Sequence, residues 1–189
     1  MCKEKLEKEH LINHVSLYEG NMCTFQTGTK HDFVFVPFTS FLHIIGTKNQ
    51  LTALKNFGTH MKTSGHLVVD IFNPKLNRLV NGLGNYSSPT FEKRFRIASG
   101  NILVRYLTAR YFPTTQQYEW VFYIEIYDGN TGNMIRKYTE EAIVQVIFPH
   151  EWRLLLTISG FEIVDEFGNF DRSPFKDDSP RMLFVAKKL

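Results

Sequence analysis

One run, His31 to Pro74, does most to limit what this chain can become: HDFVFVPFTSFLHIIGTKNQLTALKNFGTHMKTSGHLVVDIFNP. Two nearly unbroken apolar stretches, FVFVPF and LVVDIF, bracket a segment in which Leu51, Leu54, Phe57 and Met61 recur at helical spacing. Such strands suit a parallel sheet buried on both faces, and a helix linking two parallel strands makes a right-handed crossover. Lys55 and Lys62 fall off the apolar helix face; Thr47 or Asn49 is the expected N-cap, and Gly65 the expected left-handed C-cap. Ligands of open α/β sheets bind beyond the carboxyl ends of the strands. Here those ends carry Thr39, Ser40 and His43 on one side, Asp70 and Asn73 on the other.

Elsewhere the period changes. From Phe91 onward FEKRFRIA, NILVRYLTARYF, YEWVFYIEIYDG and MIRKYTEEAIVQVI alternate apolar with polar residues, predicting an antiparallel meander with one wet face. Its turns are too short for parallel crossovers, and DGNTGN is a strong hairpin signal. After Pro149, Trp152, Leu155, Leu156 and Ile158 read as a helix ahead of Gly160. Strands follow around Phe161–Val164 and Met182–Ala186, separated by a polar loop with two prolines, which predicts an α/β sheet with an antiparallel return. Upstream, Cys2–His10 reads as helical turns, and Val15, Leu17 and Tyr18 as a short strand ended by Gly20 and Asn21. The expected segments are 1–80, a partial cofactor-binding core; 81–148, the antiparallel insertion; and 149–189, which completes the core sheet.

Composition removes several function classes. A net charge of +3 with scattered basic residues argues against a nucleic-acid partner held by electrostatics. No apolar stretch approaches the roughly 20 residues of a membrane span, and MCKEKLEKEH holds no apolar signal core. Two cysteines, Cys2 and Cys23, make neither a disulfide framework nor a zinc cluster, so a reduced cytoplasmic setting is expected. His10 and His14 stand four apart, but no third ligand accompanies them, and no metal is expected. Gly82-Leu83-Gly84 reads as a turn, since no buried strand precedes it and no helix follows. The 14% aromatic content signals a well-filled core or an aromatic-lined ligand cleft.

The block FVFVPFTSFLHI…QLTALKNFGTHMKTSGHLVVDIFNP resembles class I S-adenosylmethionine-dependent methyltransferases, specifically the small-molecule branch with an antiparallel insertion after the fifth strand. EWRLLLTISGFEIVDEFGNFDRSPFKDDSPRMLFVAKK is similar to that family's C-terminal half, YEGNMCTF to its third-strand exit near the cofactor's adenine, and CKEKLEKEH to the helix before it. The implied fold is a Rossmann-like methyltransferase sheet, N-terminally truncated, with an antiparallel β-meander insertion. The family's glycine-rich first motif and its ribose-binding acidic residue have no counterpart, and Asn21 stands where the family typically has Asp. In the family's strand order, 3-2-1-4-5-7-6, losing the first strand leaves FVFVPF with an exposed edge. Three resolutions stay open: pairing with Val15–Tyr18, pairing with a second copy in a homodimer, or residues upstream of this sequence.

The resemblance implies S-adenosylmethionine as cofactor and a small-molecule methyl acceptor. Asn21, Met22, Phe38, Thr39 and Ser40 are the expected cofactor contacts. His43 is the candidate base and Asp70 an acceptor-binding or orienting carboxylate; otherwise His43 packs on Phe41 and Asp70 caps a turn. On the acceptor side stand Phe72, Asn73, Arg105, Tyr106 and Tyr123, with Arg110 as a further wet-face candidate. Cys23 reads as a packing residue. Against an active methyltransferase stand two alternatives: a non-catalytic remnant serving self-association or partner binding, and a meander acting as an independent ligand-binding module.

Overall fold

The computed structural model describes residues 2–189. After helix α1 (Cys2–Lys8), the His31–Pro74 run forms strand β1 (His31–Val36), a 3-10 turn at Ser40–His43, helix α2 (Thr47–Thr59) and strand β2 (Met61–Phe72). β1 and β2 pair in parallel, as their apolar character predicts. A short helix α3 (Leu76–Asn81) leads into four long strands, β3 (Thr90–Arg96), β4 (Ile102–Phe112), β5 (Gln117–Tyr127) and β6 (Met134–Gln145), which form the antiparallel meander. Helix α4 (Pro149–Ile158) and strands β7 (Phe161–Phe167) and β8 (Arg181–Lys188) complete the chain's first sheet, in the order β1-β2-β8-β7 with β8 antiparallel to both neighbours.

Alternation of side chains decides what each face of that sheet meets. Leu67, Val69 and Ile71 of β2 and Met182, Phe184 and Ala186 of β8 are buried in one cluster with Ala53, Leu54 and Phe57 of α2 and Trp152, Leu155 and Leu156 of α4. Both helices therefore cover the same face. At its centre Trp152 packs on Phe41 of the 3-10 turn, ring centroids 5.0 Å apart. α4 starts cleanly because Pro149 occupies its first turn and the Glu151 carboxylate accepts the Phe148 backbone N–H at 3.3 Å. Gln145 ties the two sheets together: its side-chain oxygen accepts the Gly46 N–H, and its amide donates to the carbonyls of Thr115 and Gln116.

Several expectations need correction. β1 is not buried on both faces; Phe33 and Phe35 are 57% and 45% exposed, because no element among the described residues covers that side and β1 pairs only with β2. Val15, Leu17 and Tyr18 form no strand and lie exposed, since no strand edge reaches them to satisfy their backbone groups. The N-cap of α2 is Gly46, not Thr47 or Asn49, and the helix ends at Thr59 with His60 as C-cap. Gly65 lies inside β2, where a Cβ would sit 3.2 Å from the carbonyl oxygens of His31 and Asp32; a glycine is needed there because β1 approaches closely at a register shift. His10 has a left-handed backbone and His14 ends a separate 3-10 turn, so the two share no helix face. Cys23 is unpaired and packs partly against the core, whereas the Cys2 side chain lies outside what is described. Among the described residues no helix is long and apolar enough to cross a membrane, and no group of three His, Cys, Asp or Glu is gathered for a metal.

The β5–β6 turn follows its sequence signal in atomic detail. The Asp128 carboxylate accepts the backbone N–H groups of Asn130 and Thr131 and the Thr131 hydroxyl, which holds its carboxyl below the usual range. A carboxyl whose folded pKa is depressed stabilises above its unfolded pKa and loses that contribution as pH falls through the folded one. Protection of the Asn130 and Thr131 amides, the slowing of their exchange relative to the unstructured rate at the same pH, should therefore be high at neutral pH and fall as the solution is acidified below pH about 4. An Asp128→Ala chain should show little protection at both; equal protection in the two chains would sink this account of the turn.

Candidate functional site

The carboxyl ends of β1 and β2 face the meander across a cleft of about 520 Å³. Thr39, Phe72, Asn73 and Arg181 line it from the first sheet, Leu79 and Arg78 from α3, and Trp120 and Phe122 from β5. Its wall is aromatic: Trp120 lies 5.8 Å from Phe72, 5.9 Å from Tyr118 and 6.0 Å from Phe122, centroid to centroid, mostly edge-on. Arg105 stacks over Phe122 at 4.5 Å while its guanidinium grips Glu92 in a two-pronged pair at 2.5 and 2.7 Å. Burial pushes the Tyr118 phenol above its ordinary value, against the opposing pull of the Arg78 charge. Tyr118 is therefore a protonated donor at neutral pH, not a base.

At the strand ends the backbone is strained. Phe38 and Thr39 both adopt left-handed conformations, φ 55° and 59°, costing on the order of 1–3 kcal/mol each. Asp70, fully buried at the end of β2, holds this turn: its Oδ2 accepts the Phe38 N–H at 2.9 Å, and its backbone carbonyl accepts the Thr39 N–H at 3.0 Å. Arg181, at the start of β8, donates Nη1 to both Asp70 oxygens at 2.6 and 2.9 Å and stacks 4.8 Å from the Phe170 ring. Asn73 is buried next to this group and donates to the carbonyls of Asp177 and Ser179. The Ser40 hydroxyl donates to the Pro37 carbonyl.

The expected site residues therefore divide. Thr39, Phe72, Asn73 and Arg105 line the cleft. Asp70 is buried outside the lining of the cleft, where it anchors the Phe38–Thr39 turn, the capping role weighed for it in the sequence. His43 is exposed and lies away from the cleft, in a shallow depression with Asn21, Met22, Cys23 and Asn49. Phe38 is 79% exposed. Tyr106 and Tyr123 pair with each other on the opposite face of the meander from Arg105 and Trp120, because side chains alternate along a strand. Arg110 sits on that same outer face, held by Glu119.

Sequence reasoning missed Trp120, Phe122, Arg78 and Arg181. The first two had a signal: choosing Arg105 for the cleft selects Leu107 by period two, and Leu107 pairs directly with Phe122. Arg181 had none, because its partner Asp70 lies 111 residues away.

The order β1-β2-β8-β7, with β8 antiparallel to its neighbours and the meander beyond the strand ends, corresponds to the 4-5-7-6 part of the strand order expected for class I S-adenosylmethionine-dependent methyltransferases. Solved structures place the chain in that fold class directly. It is similar to an S-adenosylmethionine-dependent methyltransferase from Clostridium acetobutylicum, with TM-score 0.79 and 15% identity over 98% of this chain and 69% of that one. The CcbJ methyltransferase from Streptomyces caelestis matches at TM-score 0.75, with 18% identity over 98% of this chain and 68% of the other. DesVI from Streptomyces venezuelae matches at TM-score 0.73, with 18% identity over 100% of this chain and 69% of the other. No protein-family model matches the sequence, and no curated protein matches it.

Proposed function

We propose that this chain takes part in S-adenosylmethionine-dependent methyl transfer to a small molecule held in the cleft between the sheets. The observation that carries this reading is the position of the cleft: it opens beyond the carboxyl ends of β1 and β2, where open α/β sheets bind their ligands, and the meander walls it with aromatic rings. Neighbours of this fold include CalS10, described as an amino pentose methyltransferase, and a glycopeptide N-methyltransferase solved with S-adenosylmethionine, which supports a small-molecule acceptor.

The donor set fits one half of the cofactor. Asn21, Met22 and His43 gather in one depression of mixed polar and apolar lining, which supports a purine there, while Thr39 lines the separate cleft and the exposed Phe38 ring lines neither. Among the described residues the amino-acid half finds no cradle. The Gly82-Leu83-Gly84 turn has its backbone spent on β4, with Tyr111 donating to Gly82 and Gly84 donating to Tyr111. A Cβ at Gly82 would meet the Ala109 carbonyl at 2.8 Å, so that glycine serves packing. When bound, S-adenosylmethionine supplies a methyl group on a positively charged sulfonium. This chain's part is to orient the acceptor against Trp120 and Phe72 and to exclude water from the cleft, which can carry most of an in-line displacement. A base is needed only for an acceptor that must lose a proton, and His43 does not line the cleft that holds the acceptor.

A second reading, a non-catalytic remnant that self-associates, draws on the unpaired edge of β1 and the exposed Phe33 and Phe35 beside it. Isothermal titration with S-adenosylhomocysteine, run alongside light scattering, separates the two. Micromolar binding by a monomer supports methyl transfer. A stable dimer of the folded chain without S-adenosylhomocysteine affinity supports the remnant and removes the enzyme reading for this polypeptide.

A further inference from the structure

We propose that the cleft is the inner half of a two-part site whose ligand is elongated, with a ring in the inner half and an anionic group at its far end bound by Arg78. Calling that ligand the methyl acceptor rests on the proposed function above; the anion site rests on geometry alone.

A second basin, about 740 Å³, adjoins the cleft and shares four residues with it: Arg78, Glu92, Leu107 and Tyr118. The two abut along that shared lining, which carries the charges of Arg78 and Glu92, and together they offer more room than a single-ring molecule needs. Their characters differ. The inner half is walled by Phe72, Trp120 and Phe122. The outer basin is bordered by Asn81, Ser87, Ser88 and Thr90, along the connection from α3 to β3.

Polar accounting separates occupied groups from free ones, and the buried Trp120 indole N–H of the inner half is among the free. The Ser87 hydroxyl accepts the Ala109 N–H, and the Thr90 hydroxyl donates to the Leu107 carbonyl. No hydrogen bond occupies the side chains of Asn81 or Ser88 among the described residues. The cations of the groove divide in the same way. Arg105 is matched by Glu92, Arg181 by Asp70, and Lys75 donates to the Asp177 carbonyl. Only the Arg78 guanidinium, at the junction, has no carboxylate or carbonyl partner among these four. Asp178, the other carboxylate of the groove, lines the inner half and not the basin. Arg78, Asn81 and Ser88 are exposed and line the same basin, and a planar five-donor fork without a carboxylate or carbonyl partner matches a phosphate or a carboxylate there.

Tryptophan fluorescence tests this. Trp152 is fully buried in the core, so a ligand-dependent change reports Trp120, and a Trp120→Phe chain supplies the control. The probes are phenyl phosphate, phenylacetate, benzyl alcohol and inorganic phosphate. The expected result is saturable quenching by phenyl phosphate or phenylacetate, whichever anion the site prefers, weakened about tenfold in Arg78→Met, as loss of a charged hydrogen bond predicts. Arg78→Lys should retain most of that affinity, and benzyl alcohol should bind both chains alike. Unchanged phenyl phosphate and phenylacetate binding in Arg78→Met overturns the proposal. So does the absence of saturation by either anion, or inorganic phosphate binding as tightly as phenyl phosphate, which would leave the ring no role. A chain that binds phenyl phosphate through Arg78 but not S-adenosylhomocysteine keeps this site and loses the methyl-transfer reading.

Discussion

Replacing Arg181 by methionine should lower the stability of the chain by about 3–5 kcal/mol, the usual cost of stranding one partner of a buried ion pair. Asp70 has no exposed surface, and Arg181 supplies two of the three hydrogen bonds that its carboxylate receives from side chains and the Phe38 amide. Without Arg181, the carboxylate keeps only the Phe38 N–H, which cannot offset the loss of hydration. The same carboxylate anchors two consecutive left-handed residues, so strain at Phe38 and Thr39 is released when the anchor weakens. Urea denaturation should show the loss, a fall in melting temperature on the order of 10 °C for a chain of this size. Fast amide exchange at Phe38 and Thr39 should accompany it. An added Asp70→Asn change should recover part of the stability, because it removes the stranded charge. A single-variant cost below about 1 kcal/mol, the scale of exposed pairs, would falsify the claim that this pair behaves as buried.

Trp152→Ala should cost a similar amount, about 3–5 kcal/mol, through the cavity it opens. Trp152 is the largest fully buried side chain and joins α4 to Phe41 of the 3-10 turn, and through it to the sheet. Its indole N–H has no hydrogen-bond partner, which makes the comparison with Trp152→Phe informative. Phenylalanine loses area but also removes an orphaned buried donor, so its cost should fall well below that of alanine, to about 1–2 kcal/mol. Chemical denaturation of both variants checks the pair. Equal costs would mean that the indole nitrogen, not the ring volume, governs the site.

The sequence was most legible where one element carries its own period. α2, the four meander strands and α4 all announce themselves through residues a turn or a strand-step apart, such as Leu54 with Phe57 or Trp120 with Phe122. α3 was missed because LNRLVN is six residues long and buries only Leu79, too little for a period to show. β1 was read as doubly buried because FVFVPF shows apolar content but not what covers it, and coverage depends on elements far along the chain. The candidate site divided in the same way. Thr39, Phe72 and Asn73 line the cleft, a placement legible in the sequence because strand ends can be located locally. Tyr106 and Tyr123 lie on the face opposite Arg105, and the wet face of a meander does not say which face meets the rest of the protein. The Arg181–Asp70 pair carries no local trace at all.

The order β1-β2-β8-β7 places the last strand of the sequence in the middle of the first sheet, with Phe72 opposite Arg181. During vectorial synthesis the meander can close by local hairpins as soon as it emerges, whereas β2 must wait for a partner more than a hundred residues downstream. Until β8 arrives, β2 presents an unpaired, strongly apolar edge and the Asp70 carboxylate lacks its counter-ion. Pairing of the eight-residue β8 closes that edge and ends the interval in which it is open to edge-to-edge association.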